Sequence, residues 1–96
     1  MAKQVEPNVI FLQTSPAVES KVGDETILLH CENGNYYGLN AVGTRAWAFM
    51  KDGASLEDIC RDLQKEYDVA EKTLELDLQK FFQDLLEQDL ISEKSL

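Results

Sequence analysis

The hydrophobic period changes once along these 96 residues, and the change falls at Asn40. Residues 1–16 show no clear period, and from Ala17 to that point apolar and polar residues alternate with a period of two, as in a half-buried strand. After it, apolar residues recur at helical spacing. A chain that spends its first half on strands and its second on helices must place the helices against the sheet to bury both apolar faces. The expected class is therefore α+β: a three-stranded antiparallel sheet followed by three helices packed on one face.

In the strand half, Val18, Ser20 and Val22 alternate with Glu19 and Lys21, which predicts a half-exposed strand. Gly23-Asp24 is a turn signal. In "ETILLHC", Ile27, Leu29 and Cys31 share one face while Thr26, Leu28 and His30 share the other. Leu28 makes both faces partly apolar, as expected of a central strand. Asn33-Gly34 predicts a tight hairpin turn, since both residue types tolerate positive φ, and "YYGL" follows as the third strand. In the helical half, Asn40 is the predicted N-cap of "AVGTRAWAFMK", whose Val42, Ala46, Phe49 and Met50 form one stripe. Trp47 is expected to pack this helix onto the sheet. Gly53 suits the left-handed position that ends a helix. Ser55 caps "SLEDICRDLQKEY", in which Leu56, Ile59, Cys60, Leu63 and Tyr67 lie on one side. A long third helix, roughly Ala70 to Asp89, carries Leu74, Leu78, Phe81, Phe82 and Leu85. The organisation predicted is a domain over residues 17–91, an N-terminal arm or short strand over 1–16 around "VIFLQ", and a frayed tail over 92–96.

Composition removes several functions. The chain has 18 acidic against nine basic residues and a net charge of −9, too few cations to neutralise phosphates, so no nucleic-acid partner is expected. No apolar run is long enough to cross a membrane, and the N-terminal "VIFL" is too short for a signal-peptide core. The cytoplasm is the expected address. Cys31 and Cys60 form no CxxC pair and the only histidine is His30, so neither a metal site nor a disulfide is expected; both cysteines are read as small buried apolar groups. No glycine-rich phosphate loop and no nucleophile–base pair are present, and the many carboxylates read as a solvated helix face. The expectation is a protein without catalytic residues or cofactor.

Two other classes share parts of this pattern. "GASLEDI" places a serine before a leucine at a helix start in a small acidic chain, as acyl carrier proteins do. Here Ala54 precedes it, and three strands come first, so Ser55 is more simply a cap. Three helices with a small sheet also describe a winged-helix DNA-binding regulator. A recognition helix needs Arg, Lys, Asn or Gln toward base edges, and the acidic second and third helices do not supply them.

The chain "DETILLHCENGNYYGLNAVGTRAWAFMKDGASLEDICRDLQKEYDV", continuing into "LDLQKFFQDLLEQDLI", resembles the PqqD family over about residues 17–91. The resemblance rests on ordered pieces: the "LL" strand, "YYGLN", a glycine three residues on, Trp47, "DG", "SLEDI", a Tyr-Asp pair and the closing "FFQDLLEQDLI". It implies a recognition element for ribosomally made precursor peptides, built as a winged helix turned to peptide binding. Such proteins hold the leader segment as an added β-strand between the third strand and the third helix. They present it to a maturation enzyme, either a radical S-adenosylmethionine protein or a leader peptidase.

The residues suit that role. An edge strand offers unpaired N–H and C=O groups to an extended peptide. Tyr36, Tyr37, Gly38 and Leu39 would form that edge, with the two tyrosines on opposite faces and Gly38 leaving room for a second backbone. Facing them, Leu74, Leu78, Phe81, Phe82 and Leu85 offer the apolar wall. Within it, Leu78, Phe81 and Leu85 are read as mainly core, and Phe82 and Leu74 as groove residues.

Overall fold

A computed structural model describes residues 5–94. Nine elements follow in order: β1 (Ile10–Gln13), β2 (Ala17–Val22), β3 (Glu25–His30), β4 (Tyr36–Leu39), α1 (Ala41–Phe49), β5 (Ala54–Ser55), α2 (Leu56–Glu66), α3 (Glu71–Glu87) and β6 (Ile91–Glu93). The expected meander is present as the antiparallel sheet β2-β3-β4, with β3 in the centre. The three helices follow it, so the fold is α+β.

A second sheet, ordered β5-β1-β6, was not foreseen. Its strands have two, four and three residues, too short to show a period of their own. Phe11 of β1 pairs with both Ala54 and Glu93, so this N-terminal strand joins segments far apart in the chain. Val5 and Phe11 are buried. Gln79, on α3, accepts from the Val5 amide (2.9 Å) and donates to the Val5 carbonyl (2.6 Å), a two-bond clamp. Residues 1–4 of the expected arm and 95–96 of the expected tail lie outside the described residues, whereas Ser92 and Glu93 are strand residues of β6.

The caps are local and follow the sequence. Asn40 Oδ1 accepts from the Gly43 amide at 2.8 Å, and Ser55 Oγ accepts from the Asp58 amide at 3.2 Å. Gly53 takes φ +93° between α1 and β5. Gly23, with φ +65°, occupies the first central position of the β2–β3 turn. The second turn differs from expectation. Only Gly34 has positive φ, the His30 amide bonds the Asn35 carbonyl, and the Gly34 amide returns to the His30 carbonyl. Asn33-Gly34 is therefore the end of a four-residue loop rather than the centre of a two-residue turn. His30 explains the longer loop: its Nδ1 accepts from the Glu32 and Asn33 amides, both at 3.3 Å.

The sheet buries Thr26, Leu28 and His30 against the helices. Ile27 and the valines of β2 are on the other side, with Val18 and Val22 exposed. The strand period was legible, but which face would be covered was not. Cys31 is exposed in the loop after β3, correcting its reading as buried, while Cys60 is buried. Burial, with Glu71 and Glu75 nearby, pushes the Cys60 thiol up from its ordinary value. The core centres on Trp47, Met50, Leu56, Ile59, Leu63, Phe82 and Leu85.

Candidate functional site: an open sheet edge beside α3

Strand β4 lies at an edge of its sheet. The bond from the His30 amide to the Asn35 carbonyl sets the parity of the ladder, and the register pairs Leu28 with Tyr37 and Ile27 with Gly38. Hydrogen-bonding direction alternates along an antiparallel strand. Asn35, Tyr37 and Leu39 thus bond inward to β3, and Tyr36 and Gly38 direct their N–H and C=O groups away from the sheet. Among the described residues, no turn, loop or cap bond takes these groups up. Among the described residues, β1 does not cover this border, because it is committed to the other sheet.

Alternation also separates the two tyrosines. Tyr36 faces outward and is 71% exposed. Tyr37 turns toward α3, where its ring lies 6.5 Å from that of Phe81 and its hydroxyl donates to Asp84 at 3.1 Å. A second bridge, Asn35 Nδ2 to Gln88 Oε1 at 3.2 Å, holds the start of β4 to the end of α3. Burial, reinforced by the hydrogen bond to Asp84 and by its charge, pushes the Tyr37 phenol up to about 12. A neutral phenol is thereby kept as a donor to the carboxylate. Gly38 is exposed, and a Cβ placed on it would have nothing within 4 Å.

Where β4 ends, a cleft of about 260 Å³ opens between the start of α1 and α3. Val42, Gly43, Tyr67, Leu74, Leu78 and Phe81 form most of its surface, with the Asp77 carboxylate also lining it. Gly43 has a definite role. A Cβ there would sit 3.3 Å from Asn40 Oδ1, tight against the helix cap, and in ordinary contact with Phe81 at 3.6 Å.

The predicted site residues divide accordingly. Tyr36, Tyr37 and Gly38 are at the open edge or in contact with α3; Leu39 is buried beneath it at 4% exposure. Leu74 and Leu78 line the cleft with little exposed surface, and Leu85 is fully core. The two phenylalanines exchange the roles expected of them. Phe82 has 0% exposure and meets Phe11 edge-on at 5.5 Å, whereas Phe81 is half-buried and lines the cleft. Adjacent helical residues point about 100° apart, and the choice between them depended on where β1 packs, since Phe11 meets Phe82. Val42, Tyr67 and Asp77 were not foreseen as cleft residues. The helical stripe did mark Val42 and Tyr67 as apolar-facing.

The other chemical candidates are occupied structurally. His30 Nδ1 accepts two backbone amides. Ser55 is 3% exposed with its hydroxyl engaged as a cap, so it does not offer the accessible oxygen that a carrier serine requires.

An antiparallel sheet with an unpaired border at β4, a helix alongside it and an apolar cleft at the strand's end define a small α+β domain whose sheet edge and cleft lie side by side. Residues 25–91 match the family described as "Coenzyme PQQ synthesis protein D (PqqD)", and the chain belongs to that family. Among solved structures, it is similar to one titled "TbiB1 in Complex with the TbiA(beta) Leader Peptide". The two share 33% identity with a TM-score of 0.79, over 88% of this chain and 99% of that one. No curated protein sequence matches the chain.

Proposed function

We propose that this protein is a non-catalytic adaptor that binds the leader region of a ribosomally synthesised precursor peptide by β-strand addition at β4. It presents the peptide to a maturation enzyme, a radical S-adenosylmethionine protein or a leader peptidase. The observation that carries this reading is the border of β4: two outward-facing backbone positions, Tyr36 and Gly38, beside a wall formed by Tyr37 and Phe81. A guest strand would complete the ladder there, and one of its side chains could enter the cleft beyond Leu39. Backbone pairing supplies affinity without regard to sequence, and the cleft supplies selectivity. The solved relative in complex with a leader peptide supports this assignment. An adaptor role is further supported by His30 and Ser55, whose side chains are engaged in the β3–β4 loop and the α2 cap.

Gly38→Pro tests the mechanism. Proline removes the outward amide and is tolerated on edge strands, and a Cβ at this position would have nothing within 4 Å. Gly38→Ala keeps the amide. Titration with a leader peptide should show binding lost in the proline variant and retained in the alanine variant, with similar melting temperatures. Undiminished binding by a folded Gly38→Pro protein would refute strand addition at this edge.

A further inference from the structure

The face of the β2-β3-β4 sheet turned away from the helices carries an apolar patch that nothing among the described residues covers. Val18, Val22, Ile27 and Tyr36 are 49%, 61%, 43% and 71% exposed. Val18, Leu29 and Tyr36 form one cross-strand row, Ile27 follows Leu29 on the same face of β3, and Val22 is diagonal to Ile27 with Glu25 opposite it. Val18 pairs with Leu29, and Leu29 with Tyr36; Ile27 lies between Ser20 and Gly38. Ser20 and Glu25 occupy the same face, so its geometry accepts polar side chains, and folding alone does not require valine, isoleucine and tyrosine there. A contiguous exposed apolar patch rimmed by polar groups is the usual mark of a protein-binding surface.

Two observations select the occupant. Glu25 is on this face, with Asp24 and Glu32 in the loops at its two ends, whereas Glu19 and Lys21 alternate to the other side, within a chain of net charge −9. A second copy laid on this face would bring like charge against like, whereas a partner with an apolar centre and a basic rim would be complementary. The patch also runs up to the open border at Tyr36. Successive side chains of a guest strand added at β4 would alternate between the α3 trough and this outer face. A protein seated on the face would touch sheet and guest together.

We propose that the outer face docks the enzyme that acts on the bound peptide, through an apolar patch with a basic rim. This rests on the strand-addition reading above. Val18→Lys/Val22→Lys tests it. Both changes are on β2, about 10 Å from β4 at ordinary strand spacing, and lysine is well tolerated on edge strands. The probes are a synthetic leader peptide and a purified radical S-adenosylmethionine maturation enzyme or leader peptidase, each titrated against the full chain.

The variant should melt like the wild type and bind the leader unchanged, while its affinity for the enzyme falls by about tenfold or more, as for loss of a central contact. Unchanged affinity for the enzyme overturns the proposal. So does a wild-type dimer in sedimentation that the variant abolishes while enzyme binding persists, which would make the face a self-association surface. If the wild type binds the enzyme through this face but fails to bind any leader peptide, the strand-addition reading fails and the docking surface stands. Should the double variant be unstable, Val18→Lys alone gives the same readout.

Discussion

Tyr36 and Tyr37 are chemically identical and adjacent, yet a strand's alternation gives them different environments. Tyr36 keeps its ring in solvent, and Tyr37 ties β4 to α3 through Asp84. Replacing Tyr37 with phenylalanine should cost about 1 kcal/mol at neutral pH, the usual worth of one such hydrogen bond. Its pH dependence is more diagnostic. The unfolded chain ionises the phenol near its ordinary value of 10.0, and the folded chain only at about 12. The contribution is therefore full below pH 10 and is lost as pH rises through 12. Denaturant midpoints of the wild type should fall more steeply across that window than those of Tyr37→Phe; parallel curves would count against the assignment. Phe81 and Phe82 offer a second contrast. Phe82→Ala removes a fully buried ring packed on Phe11 and should destabilise by about 3–5 kcal/mol. Phe81→Ala should cost markedly less in urea denaturation and weaken leader binding in titration, because Phe81 lines the cleft.

At the scale of elements, caps and turns follow from a few neighbouring residues. Asn40 caps α1, Ser55 caps α2, and Gly53 takes a left-handed conformation after α1, each within reach of its own sequence neighbours. Helix α3 is anchored differently. Gln79 is 7% exposed on its apolar side and holds both backbone groups of Val5. Leucine at this position would fill similar space and leave a buried amide and carbonyl unpaired, at a cost of about 1–3 kcal/mol. Gln79→Leu should lower the denaturation midpoint and speed hydrogen exchange at the Val5 amide. Unchanged exchange would mean that the clamp contributes nothing. Nothing in the run around Gln79 signals this partner, which lies 74 positions away.

For the whole molecule, the decisive feature is which borders and faces remain uncovered. A winged-helix arrangement survives, while the acids on α2 and α3 make those faces unsuited to phosphate. The proposed binding border at β4 is left unpaired among the described residues, because β1 pairs with β5 and β6 instead. The sequence by itself determined the β2-β3-β4 meander, the three helices after it, two of their caps and the short tyrosine-bearing strand, because periodicity, capping and turn chemistry act over a few residues. Only the tertiary structure decided that β1, β5 and β6 form a second sheet, that Phe82 rather than Phe81 is core, and that the valines of β2 face solvent. Those outcomes depend on contacts between distant segments, and a residue's own neighbours in the chain carry no record of what will be packed against it.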